Sequence, residues 1–115
     1  MEVSAKLKGI SMGTHKGRKV ANLVRNKSAA EALNILQGVD RRAARPMEKL
    51  LRSALANAEE KNTRSQAGID IDNLYVKRIM VDQGKHNWRI RPRAMGRAFW
   101  IKKMSSHITI VLDER

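Results

Sequence analysis

The sequence predicts a small α+β fold in which a three-stranded antiparallel sheet packs on three helices and a long β-hairpin arm protrudes. Three features of its 115 residues lead to this prediction. Apolar residues with period two indicate strands near both ends and at 74–82, and apolar stripes with helical period lie between the first two strands. Residues 83–98, by contrast, are polar and rich in arginine and follow neither period. We expect one domain over residues 1–115, with 83–98 as the arm.

The first strand and the first helix are predicted at the N-terminus. Apolar and polar residues alternate there, and this alternation places Lys6 and Lys8 on the outer face of a strand. A turn follows, and Thr14 is suited to cap a helix. The apolar stripe of this helix begins at Val20, and Asn26 is a suitable end.

Residues 28–31 predict the start of the second helix. Ser28 and Glu31 have the spacing of a capping box, in which the serine accepts a hydrogen bond from the fourth backbone N–H and the glutamate reaches back. Apolar residues at helical spacing follow, and Gly38 is expected to end the helix. The basic stretch 40–46 is predicted to be a connection.

The third helix has the clearest pattern. Its apolar residues lie at offsets of 0, 3, 4, 7, 8 and 11 from the first, which is one face of an α-helix. They are Met47, Leu50, Leu51, Ala54, Leu55 and Ala58. Pro46 suits the first turn, and residues 62–68 are predicted to form a polar loop. The two remaining strands follow at 74–82 and 108–112.

Residues 83–98 are predicted to form an extended hairpin because they join two strands that are expected to pair. Half of this excursion, at ~3.3 Å per residue, would project roughly 25 to 30 Å from the core. Pro92 suits the tip, which we expect near 89–95, because proline cannot donate a hydrogen bond to a strand ladder. Since its cations repel one another, we expect an arm that is mobile alone and ordered by a partner that surrounds it.

The distribution of charge predicts a polyanionic partner. The chain has 24 Lys and Arg against 11 acids, a net charge of +13 with His neutral. No acid lies between Glu2 and Glu31 or between Asp82 and Asp113, and each of these two acid-free segments contains seven bases. The chain between them is nearly neutral. Because stretches of this length fit poorly with an ordinary solvated face, we expect the partner to be nucleic acid.

Three of the four aromatic residues lie in or beside the arm, at Trp88, Phe99 and Trp100. Rings among arginines can stack on bases, or they can cover the root of the arm. Both interpretations stay open for Phe99 and Trp100, whereas for Trp88 we favour contact with the partner. The choice of arginine at positions 89, 91, 93 and 97 favours phosphate, which a planar guanidinium binds through two hydrogen bonds.

The composition argues against several classes of function. The chain has no cysteine, which excludes disulfides, iron–sulfur clusters and cysteine nucleophiles. No apolar run reaches the ~18 residues needed to cross a bilayer, and the N-terminus lacks an apolar signal core. His15, His86 and His107 are scattered without the spacing of metal ligands, and Ser106 beside His107 would point to the opposite face of a strand. We therefore expect no enzyme activity, no cofactor, no metal site and no membrane partner.

The C-terminal part of the chain carries a specific resemblance. Residues 91–98 read RPRAMGRA, and Ile101, Lys103 and the run SHITIV at 106–111 follow. This pattern closely resembles the C-terminal signature of the L twenty-two family of large-subunit ribosomal proteins. The resemblance covers nearly the whole chain, and the short length is similar to that of bacterial or organellar members. The further similar segments are 18–20, 30–33, 51–59, 73–76 and 81–82.

The resemblance implies a small α+β protein on the surface of the large ribosomal subunit. It implies early binding to several domains of the large-subunit rRNA, beside neighbouring ribosomal proteins, as a monomer in a cytoplasmic or organellar ribosome. It also implies that the hairpin runs into the subunit and that its tip lines the exit tunnel of the nascent polypeptide. The tunnel loop would be about residues 85–97.

Carried onto this chain, the resemblance assigns three sets of residues. The rRNA-binding residues of the hairpin would be Lys85, His86, Trp88, Arg89, Arg91, Arg93, Arg97, Lys102 and Lys103. The rRNA-binding residues of the globular face would be Lys6, Lys8, Lys16, Arg18 and Lys19. The residues that line the tunnel at the tip would be Arg89, Ile90, Arg91, Pro92 and Arg93.

The chain departs from the family pattern at a few positions. Gln83 and Lys85 stand where members often carry an acid and a proline. The three aromatic residues of the arm are bulkier than the small or charged residues expected there. Gly17 stands where a better helix former is usual.

Two other classes of function stay open from the residues alone. An architectural DNA-binding protein with basic β-arms can insert a proline-tipped arm into a minor groove, but it would require a dimer, and the sequence shows no obvious dimer face. An enzyme acting on RNA would require a paired base or a metal set in the acid-free segments, and the sequence offers neither.

Overall fold

The computed structural model describes residues 2–66 and 68–114 and has a mixed α+β architecture. Its elements, in chain order, are β1 (Val3–Ile10), α1 (Thr14–Val24), α2 (Ala29–Gly38), α3 (Ala44–Ser65), β2 (Leu74–Gln83), β3 (Asn87–Pro92), β4 (Ala98–Lys103) and β5 (Ser106–Glu114). An antiparallel sheet packs on three helices and a hairpin extends from it, so the predicted fold class is confirmed.

β5 is the central strand of the three-stranded sheet. It pairs antiparallel with β1 on one side and with β2 on the other. Ile108, Ile110 and Leu112 of this strand are buried, whereas His107 and Thr109 on the opposite face are partly exposed and Val111 on that face is buried as well. This alternation is typical of a strand with one face on a core.

Strand β2 contains a register irregularity between Val76 and Arg78. Leu74 and Val76 are buried before it, and Ile79 and Val81 are buried after it. The extra residue shifts the alternation by one position, so that the same side of the strand stays in contact with the helices. The apolar pattern of this segment therefore changes phase without ending the strand.

The helices bury an aliphatic core against the sheet. α3 packs on β1 and β5, α1 packs on β2, and α2 packs on both other helices. The predicted apolar face of α3 lines this core, where Met47, Leu51 and Ala54 are fully buried and Leu55 is partly buried. Among the described residues, the buried core consists of aliphatic side chains and methionine, without aromatic rings.

The third helix is longer than predicted at both ends. It begins at Ala44, and Pro46 is tolerated because N–H groups in the first turn have no helical partner. It continues to Ser65, through the start of the stretch predicted to be a loop. Asn62 explains this error, because its side chain donates to the Ile69 carbonyl at 2.7 Å and accepts from the Ile69 N–H at 2.7 Å. Asn62, a polar residue typical of loops, thus connects the end of the helix to the following segment through two hydrogen bonds.

The predicted start is confirmed for the second helix and is wrong by one residue for the first. Oγ of Ser28 accepts a hydrogen bond from the Glu31 N–H at 3.3 Å, and α2 ends at Gly38. Thr14 is instead the first helical residue of α1, and Gly13 occupies the N-cap position without a side-chain hydrogen bond. Glycine is an accepted N-cap residue, so the threonine hydroxyl is not required there.

The arm is a separate two-stranded sheet formed by β3 and β4. The molecule measures 65 × 27 × 16 Å, with a Cα radius of gyration of 17.5 Å, against about 13 Å for a compact chain of this length. The arm therefore projects from the body. It is longer than the predicted 83–98, because the returning strand continues to Lys103 and the body sheet resumes at Ser106. A hairpin needs two strands of matched length, and the predicted range omits most of the second.

Candidate nucleic-acid interface

All fourteen bases of the two acid-free segments are exposed. In residues 2–66 and 68–114, the acids that form salt bridges are Glu2, Glu48, Glu60 and Asp113, and their partners are bases of the nearly neutral middle of the chain. Within the same residues, none of the fourteen bases makes a salt bridge. Their positive charge therefore faces solvent, where it can bind a polyanion.

Arg18 has a structural role in addition to its charge. Its Nε donates to the Val81 carbonyl of β2 at 3.2 Å, and just after the end of α1 the Nη2 of Arg25 donates to the Ile79 carbonyl at 2.9 Å. These two bonds fasten the first helix along the strand. The resemblance assigns Arg18 to RNA binding, but part of its guanidinium therefore forms a hydrogen bond within the protein.

Gly17 allows α1 to approach β2 closely. A Cβ at this position would lie 3.0 Å from Cγ1 of Val81, which is tighter than ordinary van der Waals contact. A larger residue at position 17 would require Val81 or the helix to shift by a few tenths of an ångström. The departure from the family pattern at this position therefore has a packing reason.

The two acid-free segments meet at the root of the arm. An open groove of about 800 Å³ lies between the start of α1, the loop before α3 and the end of β4. Its basic lining residues are Lys16, Lys19, Arg41, Arg42, Lys102 and Lys103. In the described lining these six cations surround one acid, Asp40. We call this feature the root groove, and its charge suits a phosphate backbone.

Arg41 and Arg42 are candidate site residues that sequence reasoning missed. They lie in the stretch 40–46, which the sequence analysis treats only as a basic connection. The adjacent arginines are a visible signal, but their approach to Lys102 and Lys103 depends on the fold and cannot be deduced from the order of the chain.

Lys6 and Lys8 project from the outer face of β1, as the alternation of this strand predicts. Lys6 lines a shallow pocket together with Arg45 and Lys49 of α3. Of the predicted globular residues, Lys6 therefore lines this pocket and Lys16 and Lys19 line the root groove, while Lys8 and Arg18 line neither.

Four of the five predicted tip residues, 89–92, lie on the outgoing strand of the arm, short of its apex, whereas Arg93 begins the turn. Residues 89–92 pair across the arm with residues 98–101, and the turn itself is Ala94–Gly96. Pro92 is the last residue of β3. The prediction placed the tip too early, because a proline can end a strand ladder as well as occupy a turn.

The apex is a tight turn with an apolar outermost side chain. Met95 and Gly96 have left-handed backbone conformations, with φ of 64° and 69°. The N–H of Arg93 donates to the Arg97 carbonyl at 2.7 Å and closes the turn. Met95 is 96% exposed, so an apolar side chain flanked by two cations forms the end of the arm.

Short contacts fix the root of the arm. The N–H of Gly84 donates to the Ser105 carbonyl at 2.9 Å, and Ser105 Oγ donates to the Lys85 carbonyl. A Cβ on Gly84 would lie 2.7 Å from Ser105 Oγ and 3.0 Å from Cε1 of His107, so a larger residue would displace one of them. Nδ1 of His107 accepts a hydrogen bond from the Gly9 N–H at 3.0 Å, so His107 is a hydrogen-bonded residue of the sheet.

The aromatic residues of the arm do not cover its root. Phe99 and Trp100 are exposed and lie at the apical end of β4, so packing at the root is the wrong interpretation for both. Trp88 lies closer to the body. The His86 ring meets it edge-on with centroids 6.1 Å apart, and Nζ of Lys102 lies 5.9 Å from its centroid.

The ion pairs of the body change pKa values at the sheet, away from the root groove. A hydrogen bond from the Lys77 ammonium holds the pKa of Glu2 below its ordinary value, and the same contact raises the pKa of Lys77. The backbone N–H of Glu114 lowers the pKa of Asp113. These groups join both ends of the described chain to β2, which is a structural role.

In the described ranges, no group of three or more histidine or acidic side chains is placed to hold a metal ion. None of the helices in these ranges combines the length and apolar character that crossing a membrane requires.

The aliphatic body, the exposed basic arm and the root groove together define a basic structural protein suited to a polyanionic partner. Comparison with known proteins then identifies the family. Residues 5–113 match the family described as Ribosomal protein L22p/L17e, and the chain belongs to this family.

Individual relatives agree with this membership. The chain is 48% identical to Large ribosomal subunit protein uL22 of Bdellovibrio bacteriovorus, with 100% of both chains covered. It is 49% identical to the protein of that name from Myxococcus xanthus, over 99% of this chain and 97% of the relative. It is 50% identical to that from Syntrophobacter fumaroxidans, with 100% of both covered. The resemblance to a bacterial-type member is thus confirmed, and the matched proteins are structural ribosomal proteins, not enzymes.

Proposed function

We propose that the protein is a component of the large ribosomal subunit and binds large-subunit rRNA through its arm and root groove. One observation carries the proposal: the fourteen bases of the acid-free segments are exposed and, within the described residues, make no salt bridge. Family membership supports rRNA as the polyanion, because the relatives are named as proteins of the large subunit.

The binding chemistry is neutralisation of phosphate by fixed cations. Each lysine or arginine that meets a phosphate releases a condensed counterion, which makes binding favourable and steeply dependent on salt. The arm would lie between RNA segments and reduce their mutual repulsion, which supports subunit assembly. RNA shape rather than base sequence would supply most of the specificity.

The apex of the arm is proposed to line the exit tunnel and to meet the nascent polypeptide. Support comes from the projection of the hairpin and from the family signature at residues 91–98. Because the turn is Ala94–Gly96, the residues nearest the lumen would be Arg93, Met95 and Arg97. Residues 89–92 would then lie along the RNA wall behind the apex.

The protein is proposed to act as a monomer within a ribosome in the bacterial cytoplasm. The bacterial relatives support this location. The exposed side of α3, where Arg52 and Arg64 pair with acids one turn away, would face solvent and neighbouring ribosomal proteins.

The proposal is tested by the salt dependence of binding between the full chain and large-subunit rRNA. The variant Lys102→Gln with Lys103→Gln removes two cations of the root groove. We expect weaker binding and a salt slope lower by roughly 1.4 to 1.8, since each lost phosphate contact lowers it by about 0.7 to 0.9. The control Arg52→Gln with Arg64→Gln removes the same charge from α3, outside the groove, and should leave the slope nearly unchanged.

Two results would contradict rRNA binding through this surface. One is equal loss of slope in the groove variant and in the control, which would mean that only net charge matters. The other is a dimeric protein that bends duplex DNA as tightly as it binds the rRNA, which would favour the architectural DNA-binding alternative.

The tunnel position is tested by crosslinking. A photoreactive amino acid at Met95 should crosslink to the nascent chain on stalled ribosomes, whereas the same group at Glu59 on α3 should crosslink elsewhere. Absence of a nascent-chain product from position 95, in ribosomes that contain the protein, would remove the apex from the tunnel.

A further inference from the structure

The pairing of the arm sorts its side chains onto two different faces. Partners in an antiparallel ladder share a face, and successive residues alternate between faces. Trp88 pairs with Lys102 and Ile90 pairs with Trp100, so these side chains lie together. We call the surface formed by Trp88, Ile90 and Trp100 the aromatic face.

The opposite face of the arm has a different chemistry. Arg89 pairs with Ile101, and Arg91 pairs with Phe99. The two arginines therefore point away from the tryptophans. We call the surface around Arg89 and Arg91 the arginine face. The alternation of arginine with apolar residues in β3 thus gives one narrow ribbon two separate binding surfaces.

The aromatic face is too exposed to serve the stability of the free protein. Trp88 is 51% exposed, Ile90 59% and Trp100 65%. Three large apolar side chains in a row on a solvent-exposed ribbon indicate contact with a partner. The buried core of the described body uses no aromatic ring, so the rings have been placed where the partner is expected.

Charge decides which partner fits this face. No acid lies between residues 82 and 113, and seven bases do. An apolar peptide covering the rings would leave the adjacent ammonium of Lys102, 5.9 Å from the Trp88 centroid, without a counter-charge. A single-stranded nucleic acid supplies both a flat surface for the rings and a counter-charge for the ammonium. Each of its nucleotides has a planar base and a negatively charged phosphate.

We propose that the aromatic face of the arm is a stacking platform for unpaired bases of the large-subunit rRNA, while the arginine face binds phosphates. This inference rests on the proposed function and deepens it. The arm would bind RNA on both faces, through base stacking on the aromatic face and through phosphate contacts on the arginine face. Its stacking side would depend little on salt, and its arginine side would depend on salt strongly.

The two tryptophans of the chain are Trp88 and Trp100, and both lie on this face. Tryptophan emission of the full chain therefore reports on the aromatic face alone. The probe is single-stranded oligoadenylate of about 12 nucleotides, within the span of one single-strand-binding module. We expect it to quench the emission, whereas an abasic oligonucleotide of equal length and charge should bind without that quenching.

Variants separate the two faces. Trp100→Leu should weaken binding of large-subunit rRNA by about 5- to 150-fold, the range for loss of one stacked base, without changing the salt slope. Arg91→Gln should lower the slope by about 0.7 and keep the quenching at saturation. Phe99→Leu, the matched change on the arginine face, should alter rRNA affinity by less than the tryptophan change.

The outcomes distinguish this inference from the proposed function. If the unmodified protein fails to bind the rRNA, the proposed function is wrong. If it binds with the expected salt slope but Trp100→Leu binds equally well, only the stacking platform is wrong. Equal quenching by the abasic probe, or an equal loss in Phe99→Leu, would also overturn it. A photoreactive amino acid at position 100 that crosslinks to protein and not to RNA in assembled subunits would assign the aromatic face to a protein instead.

Discussion

The body and the arm distribute their residues in opposite ways. In the body, a core of apolar side chains is buried, and four bases in the middle of the chain pair with acids, namely Arg52, Arg64, Lys77 and Arg78. In the arm, apolar side chains are exposed, and among the described residues no base forms a salt bridge. We therefore expect folding to depend on the body, and binding of a polyanion to depend on the arm and the root groove. The two can be changed separately by mutation.

The two sheets of the molecule also differ, because the helices cover one of them and not the other. The three-stranded sheet is covered by helices, whereas β3 and β4 pair only with each other. A two-stranded ribbon without a covered face is marginally stable in water. We therefore expect the arm to become rigid on binding a partner, while the contacts at its root hold it to the body.

Loss of Leu51 should have the largest effect on folding. This side chain lies on the core-facing side of α3 and is fully buried. Leu51→Ala should lower the free energy of unfolding by about 2 to 5 kcal/mol, measured by urea or thermal unfolding. Such a loss is a large share of the stability of a small domain, so the variant is expected to be partly unfolded at 37 °C.

Leu55→Ala sharpens this test, because Leu55 lies on the same helical face but is only partly buried. Its effect should be clearly smaller than that of Leu51→Ala. Equal effects at the two positions would mean that the depth of burial along α3 is described incorrectly.

Removal of the cap on α2 should have an intermediate effect. Ser28 Oγ accepts the Glu31 N–H at the start of this helix. Ser28→Ala should cost about 1 kcal/mol of unfolding free energy, a typical value for loss of an N-cap side chain. Ser53→Ala, at an exposed position inside α3, is the control and should not destabilise the protein. A destabilised control would indicate a general effect of serine loss.

These two sites also show what the sequence can predict. The apolar face of α3 and the capping box at residues 28–31 are local patterns, in which neighbours in sequence are neighbours in space. The fold class followed from such patterns, together with the position of the arm. The family signature at residues 91–98 then identified the class of protein.

The parts that could not be predicted depend on contacts between distant segments. The end of α3 depends on Asn62 reaching Ile69. The root groove depends on the fold bringing Arg41 and Arg42 to the end of β4. The apex at Ala94–Gly96 depends on the strand register, and a register cannot be deduced from composition.

The ion pair of Glu2 should give a small effect that depends on pH. Its folded pKa is held low by Lys77, so its contribution is present above the ordinary value of 4.5 and is lost as the pH falls through the folded value. Glu2→Gln should therefore be slightly less stable than the unmodified protein at pH 7 and equally stable in acid. The measurement is the unfolding of both proteins at pH 7 and in acid. At pH 7, high salt should reduce the difference in stability between them. A difference that grows in acid would contradict this assignment.

Replacement of the arm arginines should have the smallest effect on folding. Arg89, Arg91 and Arg93 are exposed and make no salt bridge among the described residues. With all three changed to Ala, the free energy of unfolding should stay within about 0.5 kcal/mol of its original value. Binding to large-subunit rRNA should weaken, with a salt slope lower by roughly 2 to 3. A marked loss of thermal stability in this variant would mean that the arm packs on the body, and the separation of folding from binding would then be wrong.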